Sequence, residues 1–135
     1  MSLQAIEPFV TLGLRETEAG VDKVVISVPL MGNRNDKGTL FGGSMYSAML
    51  LAGWHLCGRQ AEQAGQSGEI YVKDSAVQFL RPIRSDMEAI AELSEPPRMT
   101  RRGNLAYEVK IEAVDADGQL CGRATASYRL LPKSA

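Results

Sequence analysis

Two adjacent glycines open the most apolar stretch of the sequence, and their backbone amides are its first chemical feature of interest. Gly42 and Gly43 precede Ser44 and a segment that we predict to be helical over residues 42–64. The first amides of a helix have no partner within the helix, and the helix dipole places partial positive charge there, so we predict unpaired amides at Gly42, Gly43 and Ser44. Such amides can stabilise an oxygen that becomes negatively charged during a reaction, and glycine permits close approach of a carbonyl group. The alternative is that the glycines only allow a tight turn into the helix.

A carboxylate in the second half of the chain is the next candidate. Asp74 lies beside Ser75 in a predicted strand of mixed character. If Asp74 faces an interface between two subunits, its carboxylate needs either a partner or a chemical role there. We therefore predict that Asp74 acts as a general base. The only histidine of the sequence, His55, falls about three turns into the predicted helix. We expect this single histidine to be packed or exposed rather than catalytic.

The apolar stretch after the glycines predicts one long helix that is buried on most of its circumference. From Met45 to Cys57, apolar residues fall on nearly every side of the helix. At about 1.5 Å per residue the helix would run roughly 35 Å, the width of a small domain. The glycine-rich residues 64–68 have the composition of a helix C-terminus.

Strands are predicted on both sides of this helix. Residues 22–30 alternate apolar and polar types, and a short strand within residues 11–18 precedes them. Four strands are predicted after the helix, at residues 69–81, 86–94 and 104–114 and from residue 120 onward. This order predicts a single α+β domain over residues 1–135, in which a curved antiparallel sheet of five to six strands wraps one long central helix. Because such a sheet leaves an edge without a partner, we predict that two chains pair edge to edge.

The composition excludes several classes of function. With 135 residues, 44% of them hydrophobic and 23% charged, the chain has the make-up of one globular domain. The net charge of −1 supplies no basic field for nucleic acid. We see no signal peptide, and no apolar run approaches the ~20 residues that span a membrane. We therefore expect a cytoplasmic protein with Cys57 and Cys121 as free thiols and with neither nucleic acid nor a membrane as a partner.

The residues from Asn35 to Trp54 carry a resemblance to a known group of enzymes. The segment NDKGTLFGGSMY, followed by LAGW at residues 51–54, resembles the hotdog-fold thioesterases. The segment VQFLRPI at residues 77–83 is similar to the strand that follows the helix in the same superfamily. The resemblance is closest to a bacterial thioesterase family whose domain also occurs as a C-terminal domain fused to an acetyltransferase. The order of elements matches from about residue 12 to residue 131.

This resemblance implies a hydrolase that forms a homodimer or a dimer of dimers, with its active sites at the subunit interface. It also implies an acyl-CoA or acyl-carrier-protein thioester as substrate, and neither a metal nor another cofactor. Asn35 matches a loop position that polarises or holds the attacking water, although it can equally be a turn residue. Arg101 and Arg102 lie in a loop that in hotdog proteins often meets the phosphates of CoA, although solvation is the default for them. Asp36 is expected to be a solvated loop charge.

The predicted site therefore has a catalytic group and a substrate-binding group. The catalytic group consists of Asn35, Asp74 and Gly43. Capping of the helix is the simplest role for Ser44, and orientation of substrate is the alternative. The predicted substrate-binding residues are Phe41, Gly42, Ser44, Tyr46, Ser75, Arg101 and Arg102.

Two positions depart from the superfamily pattern. Many members have His-Gly-Gly at the helix start, where this chain has Phe41 before the glycines, and many carry an Asp about nine positions later, where this chain has Leu50. The catalytic group must then come from elsewhere or be absent. A thioesterase is the main interpretation, and a non-catalytic acyl-CoA-binding protein is the alternative that the missing acid favours. A dehydratase would need a histidine facing a carboxylate across the interface, and His55 has no matching loop motif.

Overall fold

The structure is a computed structural model that describes residues 2–132, and this part of the chain contains two α-helices and seven strands. The helices are α1 (Glu7–Thr11), which a single 3-10 turn (Leu3–Ala5) precedes, and α2 (Gly42–Gln63). The strands are β1 (Arg15–Ala19), β2 (Val24–Val28), β3 (Glu69–Phe79), β4 (Met87–Leu93), β5 (Arg98–Met99), β6 (Leu105–Asp115) and β7 (Leu120–Leu131). No helix within residues 2–132 combines the length and the apolar character that crossing a membrane requires.

The strands form one antiparallel sheet in the order β1-β2-β4-β6-β7-β3, and β5 pairs with β6 outside this path. Helix α2 packs against β2, β4, β6, β3 and β7, and so lies across the inner face of the sheet. This confirms the predicted long helix wrapped by a curved antiparallel sheet. The additional strand, β5, has two residues, which are too few to show an alternation in the sequence.

Small residues on β7 let the helix approach the sheet closely. Gly122, Ala124 and Ala126 alternate along β7 and are buried under α2. A Cβ atom on Gly122 would lie 3.0 Å from the Cε atom of Met45, so a larger residue there would push the start of the helix away from the sheet. The packing of β7 therefore fixes the height of the helix start above the sheet.

The N-terminal segment differs from the sequence prediction. The predicted strand within residues 11–18 is a strand at Arg15–Ala19, and the five-residue helix α1 precedes it. Pro8 lies in the first turn of α1, where proline is tolerated because the first amides have no intrahelical partner. A helix of this length is too short for a periodic apolar pattern, which explains why the sequence did not reveal it.

Candidate active site

Two backbone amides at the start of α2 have no hydrogen-bond partner among residues 2–132. Phe41 is the N-cap residue, and no side chain of the described residues caps the helix. The amides of Ser44 and Met45 both donate to the carbonyl oxygen of Phe41, at 3.0 Å and 3.1 Å, whereas those of Gly42 and Gly43 donate to no oxygen of the described chain. The sequence predicted free amides at three positions, and the structure leaves two. The expectation that Ser44 caps the helix was wrong.

Two exposed aromatic rings flank the free amides. A Cβ atom on Gly43 would overlap the ring of Phe41, and one on Gly42 would lie 3.1 Å from the Cε1 atom of Phe79. The exposed fractions of Phe41 and Phe79 are 54% and 58%, so neither ring is part of the core. The glycines thus make room for the rings as well as leaving the amides open. Sequence reasoning included Phe41 and missed Phe79, for which the only signal was its place in the VQFLRPI segment.

A cavity of about 370 Å³ lies beside the first of these amides. It is bounded by the loop of residues 35–40, the start of α2 and residues 79–83. Gly42, Met45 and Ile83 are among its lining residues, and Lys37 and Arg81 are the charged ones. The volume falls in the lower part of the ~300–1,000 Å³ range of small-molecule sites.

The loop before α2 uses most of the hydrogen-bonding capacity of Asn35 for its own conformation. The Oδ1 atom of Asn35 accepts from the amides of Lys37 and Thr39, at 2.9 Å and 3.1 Å, and its Nδ2 atom donates to the hydroxyl of Thr39. One hydrogen on Nδ2 is then left for another acceptor. Asp36 is exposed and pairs with the neighbouring Lys37, which fits a solvated loop charge.

A second asparagine, which sequence reasoning missed, fixes this loop to the rest of the molecule. Asn33 is 3% exposed, and its Nδ2 atom donates to the carbonyl oxygens of Leu12 and Pro29. The main-chain carbonyl oxygen of Asn33 accepts a hydrogen bond from the amide of Phe41 at 2.7 Å. Asn33 therefore sets the position of the residue that caps α2. An asparagine in a polar loop gives no sequence signal for such long-range contacts.

A β-bulge decides which side of β3 faces the helix. The register of β3 against β7 shifts between Val72 and Asp74, so that Val72 pairs with Tyr128 and Asp74 pairs with Ser127. Ser75 then pairs with the buried Ala126 and faces inward, while Asp74 lies on the outer face and is exposed. Without the bulge, the alternation of the strand would place Asp74 inward. The structure therefore does not bring Asp74 to the helix start of its own chain.

Two tyrosines connect α2 to β3 and β7. The hydroxyl groups of Tyr46 and Ser75 form a hydrogen bond, which brings these two predicted substrate-binding residues together. The hydroxyl of Tyr128 donates to the carbonyl oxygen of Leu50 at 2.7 Å. The side chain of Leu50 is partly buried and packs against the core. The position that carries an acid in many superfamily members is thus an apolar packing position here.

Arg101 and Arg102 belong to a larger basic cluster on the outer side of the sheet. They line an open cavity of about 640 Å³ together with Lys73, Arg98 and Arg129. Arg98 and Arg129 are within 3.5 Å and 3.7 Å of the carboxylate of Glu108. Within residues 2–132, no carboxylate lies in ion-pair range of the other three basic side chains. The cluster therefore carries uncompensated positive charge that an anionic group can use.

His55 is a packed residue away from the helix start. Its Nε2 atom lies 2.5 Å from the Oε2 atom of Glu16 on β1, and the imidazole is mostly buried. Burial lowers the pKa of His55 below its usual 6.5, and this effect outweighs the opposing one of the Glu16 carboxylate. Cys57 and Cys121 are buried free thiols, and burial raises the pKa of both. These groups are structural.

Solved structures share this fold. A protein from Shewanella oneidensis described as a "putative thioesterase" superposes with a TM-score of 0.86 at 23% identity, covering 96% of this chain and 91% of that one. A thioesterase from Haemophilus influenzae gives 0.78 at 17% identity, covering 98% and 92%. A mutant thioesterase from Pseudomonas aeruginosa gives 0.79 at 16% identity, covering 98% and 96%. The helix and its wrapping sheet thus define a protein of the hotdog fold.

The sequence itself places the chain within that class. The family described as "Putative thioesterase (yiiD_Cterm)" matches residues 10–130. The chain belongs to this family, as the loop-and-helix motif predicted. Family membership assigns the protein to the thioester hydrolases.

Proposed function

We propose that the protein hydrolyses an acyl-CoA or acyl-carrier-protein thioester whose carbonyl oxygen accepts hydrogen bonds from the amides of Gly42 and Gly43. The observation that carries the proposal is that these two amides have no partner among residues 2–132, at the positive end of a 22-residue helix. Attack by water turns the carbonyl oxygen into an oxyanion, which the fixed donors stabilise. A donor of this kind is typically worth about 3 kcal/mol of barrier reduction.

The site becomes complete in a homodimer that forms through β3. This strand is a free edge of the sheet and spans 11 residues, and Tyr71, Val72 and Phe79 along it are about half exposed. The other free edge, β1, has five residues and a bulge between Glu16 and Glu18. Both edges carry a bulge and charged residues, so the greater length of β3 and its exposed apolar side chains are what favour pairing there. Light scattering should therefore show a dimer, and a stable folded monomer at micromolar concentration would exclude the shared site.

The dimer would also give the basic cluster a role. Lys73 lies six residues from Phe79 along β3, or roughly 20 Å at about 3.3 Å per residue. The cluster is therefore far from the helix start of its own chain. Antiparallel pairing of two β3 strands would bring the end of one strand near the beginning of the other. Arg101 and Arg102 of one copy could then bind the CoA phosphates of a thioester held at the helix start of the other copy.

Two polar side chains are proposed to activate the water. Asn35 would hold it through the Nδ2 hydrogen that the loop leaves free. Asp74 would act as the general base from the edge strand of one copy on the site of the other. Its side chain lies on the outer face of the sheet, and pairing of the two β3 strands closes the edge between that face and the helices, so the role requires Asp74 to turn inward at the bulge when the dimer forms. Its exposure and its place near the middle of that edge support this role.

A non-catalytic acyl-CoA-binding protein is the second candidate. It is favoured by the apolar Leu50 at the usual acidic position and by the absence of a carboxylate from the residues that line the cavity at the helix start. Such a protein would use the same amides to bind the thioester and would leave it intact.

Thiol release distinguishes the two functions. Purified protein would be incubated with acyl-CoA and acyl-carrier-protein thioesters of several chain lengths, and the free thiol would be detected with a chromogenic disulfide. We expect hydrolysis of at least one of these substrates. Binding of acyl-CoA without thiol release from either carrier would support the binding protein and overturn the hydrolase.

A further inference from the structure

A seam between α2 and the edge strand β3 begins at the free amides. Along this seam lie Tyr46 and Leu50, which are one turn apart on α2, and Val72, Ser75 and Val77 on β3. Ser75 and Val77 pair with residues of β7 that are buried under the helix, so their side chains face inward. Because β3 is an edge strand of the sheet formed by residues 2–132, only the proposed second copy would close the seam from that side.

The hydrogen bond between Tyr46 and Ser75 crosses this seam. Tyr46 follows Gly42 by four residues, or about 6 Å along the helix axis. Its Cα–Cβ bond leans toward the helix start, as all such bonds do in an α-helix. Its hydroxyl then bonds to the hydroxyl of Ser75 on the facing strand, and both residues are half-buried. The pair thus forms a barrier about one helical turn beyond the amides.

The two sides of the helix start differ in charge. The seam is lined by apolar groups and by two hydroxyl groups that bond to each other. The cavity on the Met45 side has Lys37 and Arg81 among its lining residues. An acyl chain has no polar atoms beyond its carbonyl group, so it is better accommodated in the uncharged seam. The charged side is left to the polar arm of the carrier or to solvent.

We propose that Tyr46, held in place by Ser75, limits the acyl group of the substrate to a short chain. This inference rests on the proposed binding of the thioester carbonyl at the amides of Gly42 and Gly43. The barrier lies at most about 6 Å from the amides along the helix axis, which limits a saturated chain to roughly four or five carbons at about 1.5 Å per bond. Tyr46 touches the far end of the acyl chain rather than the reacting atoms, so it determines specificity and not the chemistry.

The test measures chain-length preference in binding as well as in hydrolysis. Non-hydrolysable 2-oxoalkyl thioethers of CoA, which keep the carbonyl group, would be titrated calorimetrically into the wild type and Tyr46→Ala, with acyl groups of two to twelve carbons. The wild type should bind analogues of about four to six carbons most tightly. Tyr46→Ala should raise affinity for the ten-carbon analogue relative to the four-carbon one by at least ~10-fold, the scale of discrimination that a few methylene groups provide. Ratios of kcat/KM for the matching thioesters should shift in the same direction.

Three variants make the result specific. Ser75→Ala keeps the ring of Tyr46 but frees its hydroxyl, and should give a smaller shift in the same direction. Tyr46→Leu also shortens the barrier and replaces Tyr46→Ala if that variant does not fold. Val10→Ala shortens an exposed apolar side chain on α1, away from the helix start and the edge strand, and should leave the preference unchanged.

The outcomes separate this inference from the proposed function. A wild type that binds ten- and twelve-carbon analogues as tightly as short ones overturns the length limit, as does an unchanged preference in both Tyr46 variants. Thioesters that stay intact while Tyr46→Ala shifts the binding preference would overturn the hydrolase and leave the length limit standing.

Discussion

The first turn and the middle of α2 differ in whether their polar groups have hydrogen-bond partners. In the first turn, the amides of Gly42 and Gly43 lack partners within residues 2–132, and no side chain caps the helix. In the middle, the carbonyl oxygen of Leu50 accepts an additional hydrogen bond from Tyr128, and the indole nitrogen of Trp54 donates to the carbonyl oxygen of Ile70 at 2.9 Å. One helix therefore has an open end and a middle that is tied to the sheet.

This difference teaches where function can be separated from stability. Bonded polar groups in the interior support the fold, and removing a partner destabilises it. Free polar groups at the surface make no hydrogen bond that a substitution could remove, so they add nothing to the stability of the fold. They are nevertheless available to bind a ligand. We therefore expect substitutions at the first turn to change activity, and substitutions in the middle to change stability.

Among the side-chain substitutions, the largest effect is expected at a residue that would complete the open end of the helix from the edge strand. Asp74→Asn should lower kcat by about 10²-fold with little change in KM, because it removes the proposed general base. Its unfolding midpoint should not move, since Asp74 is exposed. Asp36→Asn, which changes an exposed carboxylate of the loop, is the control and should be nearly silent. Full activity in Asp74→Asn would leave catalysis to the helix amides.

Adding a single methyl group at Gly53 should test how much the packing in the middle of the helix contributes to stability. A Cβ atom on Gly53 would lie 2.8 Å from the Cζ atom of the buried Tyr128. Gly53→Ala should therefore lower the free energy of unfolding by about 2 kcal/mol, as measured by urea denaturation. The same substitution in the first turn, Gly42→Ala, meets only the exposed ring of Phe79 and should cost almost nothing. Equal losses at both positions would remove the distinction between the two regions.

Asn35 in the loop should contribute less to kcat than the proposed base, Asp74. Asn35→Ala removes the proposed water-holding amide and should lower kcat by about 10-fold, since other donors can partly orient the water. It also removes three hydrogen bonds within the loop, so a lower unfolding midpoint is expected as well. Steady-state kinetics at a temperature well below that midpoint separates the two effects. A variant that is less stable but fully active would make Asn35 a turn residue only.

The smallest effect concerns the pH dependence of the middle region. Burial lowers the pKa of His55 in the folded protein below 6.5, so the unfolded chain binds a proton more readily there. The neutral imidazole therefore leaves the free energy of unfolding at its full value above about pH 6.5. The free energy of unfolding declines as the pH falls toward the lowered pKa of the folded protein. His55→Gln removes that decline, and urea midpoints at about pH 8 and pH 5.5 would show it. A variant with the same pH dependence as the wild type would contradict this sign.

The fold was predictable because its signals are periodic, whereas the site depends on contacts that the sequence does not record. The glycine pair and the apolar run located α2 to within a residue. The bulge at residues 72–74 was not visible, because one extra residue in a strand leaves no compositional mark, yet it turns Asp74 outward and Ser75 inward. The approach of Phe79 to Gly42 also joins distant parts of the chain.

The central claim is that the free amides of the first turn bind the carbonyl oxygen, and proline can test it directly. Gly42 is the first residue of α2, a position where proline is favoured because its missing amide hydrogen has no helical partner. Phe41 already has the extended backbone, with φ −64° and ψ 129°, that a following proline requires. Gly42→Pro thus deletes one proposed donor without a cost to the helix. Gly42→Ala, which keeps the amide hydrogen, is the matched control.

The decisive measurement is kcat for Gly42→Pro relative to Gly42→Ala, with the unfolding midpoint recorded for both. The account predicts that the proline variant loses about 10²–10³-fold in kcat while remaining folded, and that the alanine variant loses less than about 10-fold. A folded proline variant with the same kcat as the alanine variant would show that the Gly42 amide does not stabilise the transition state.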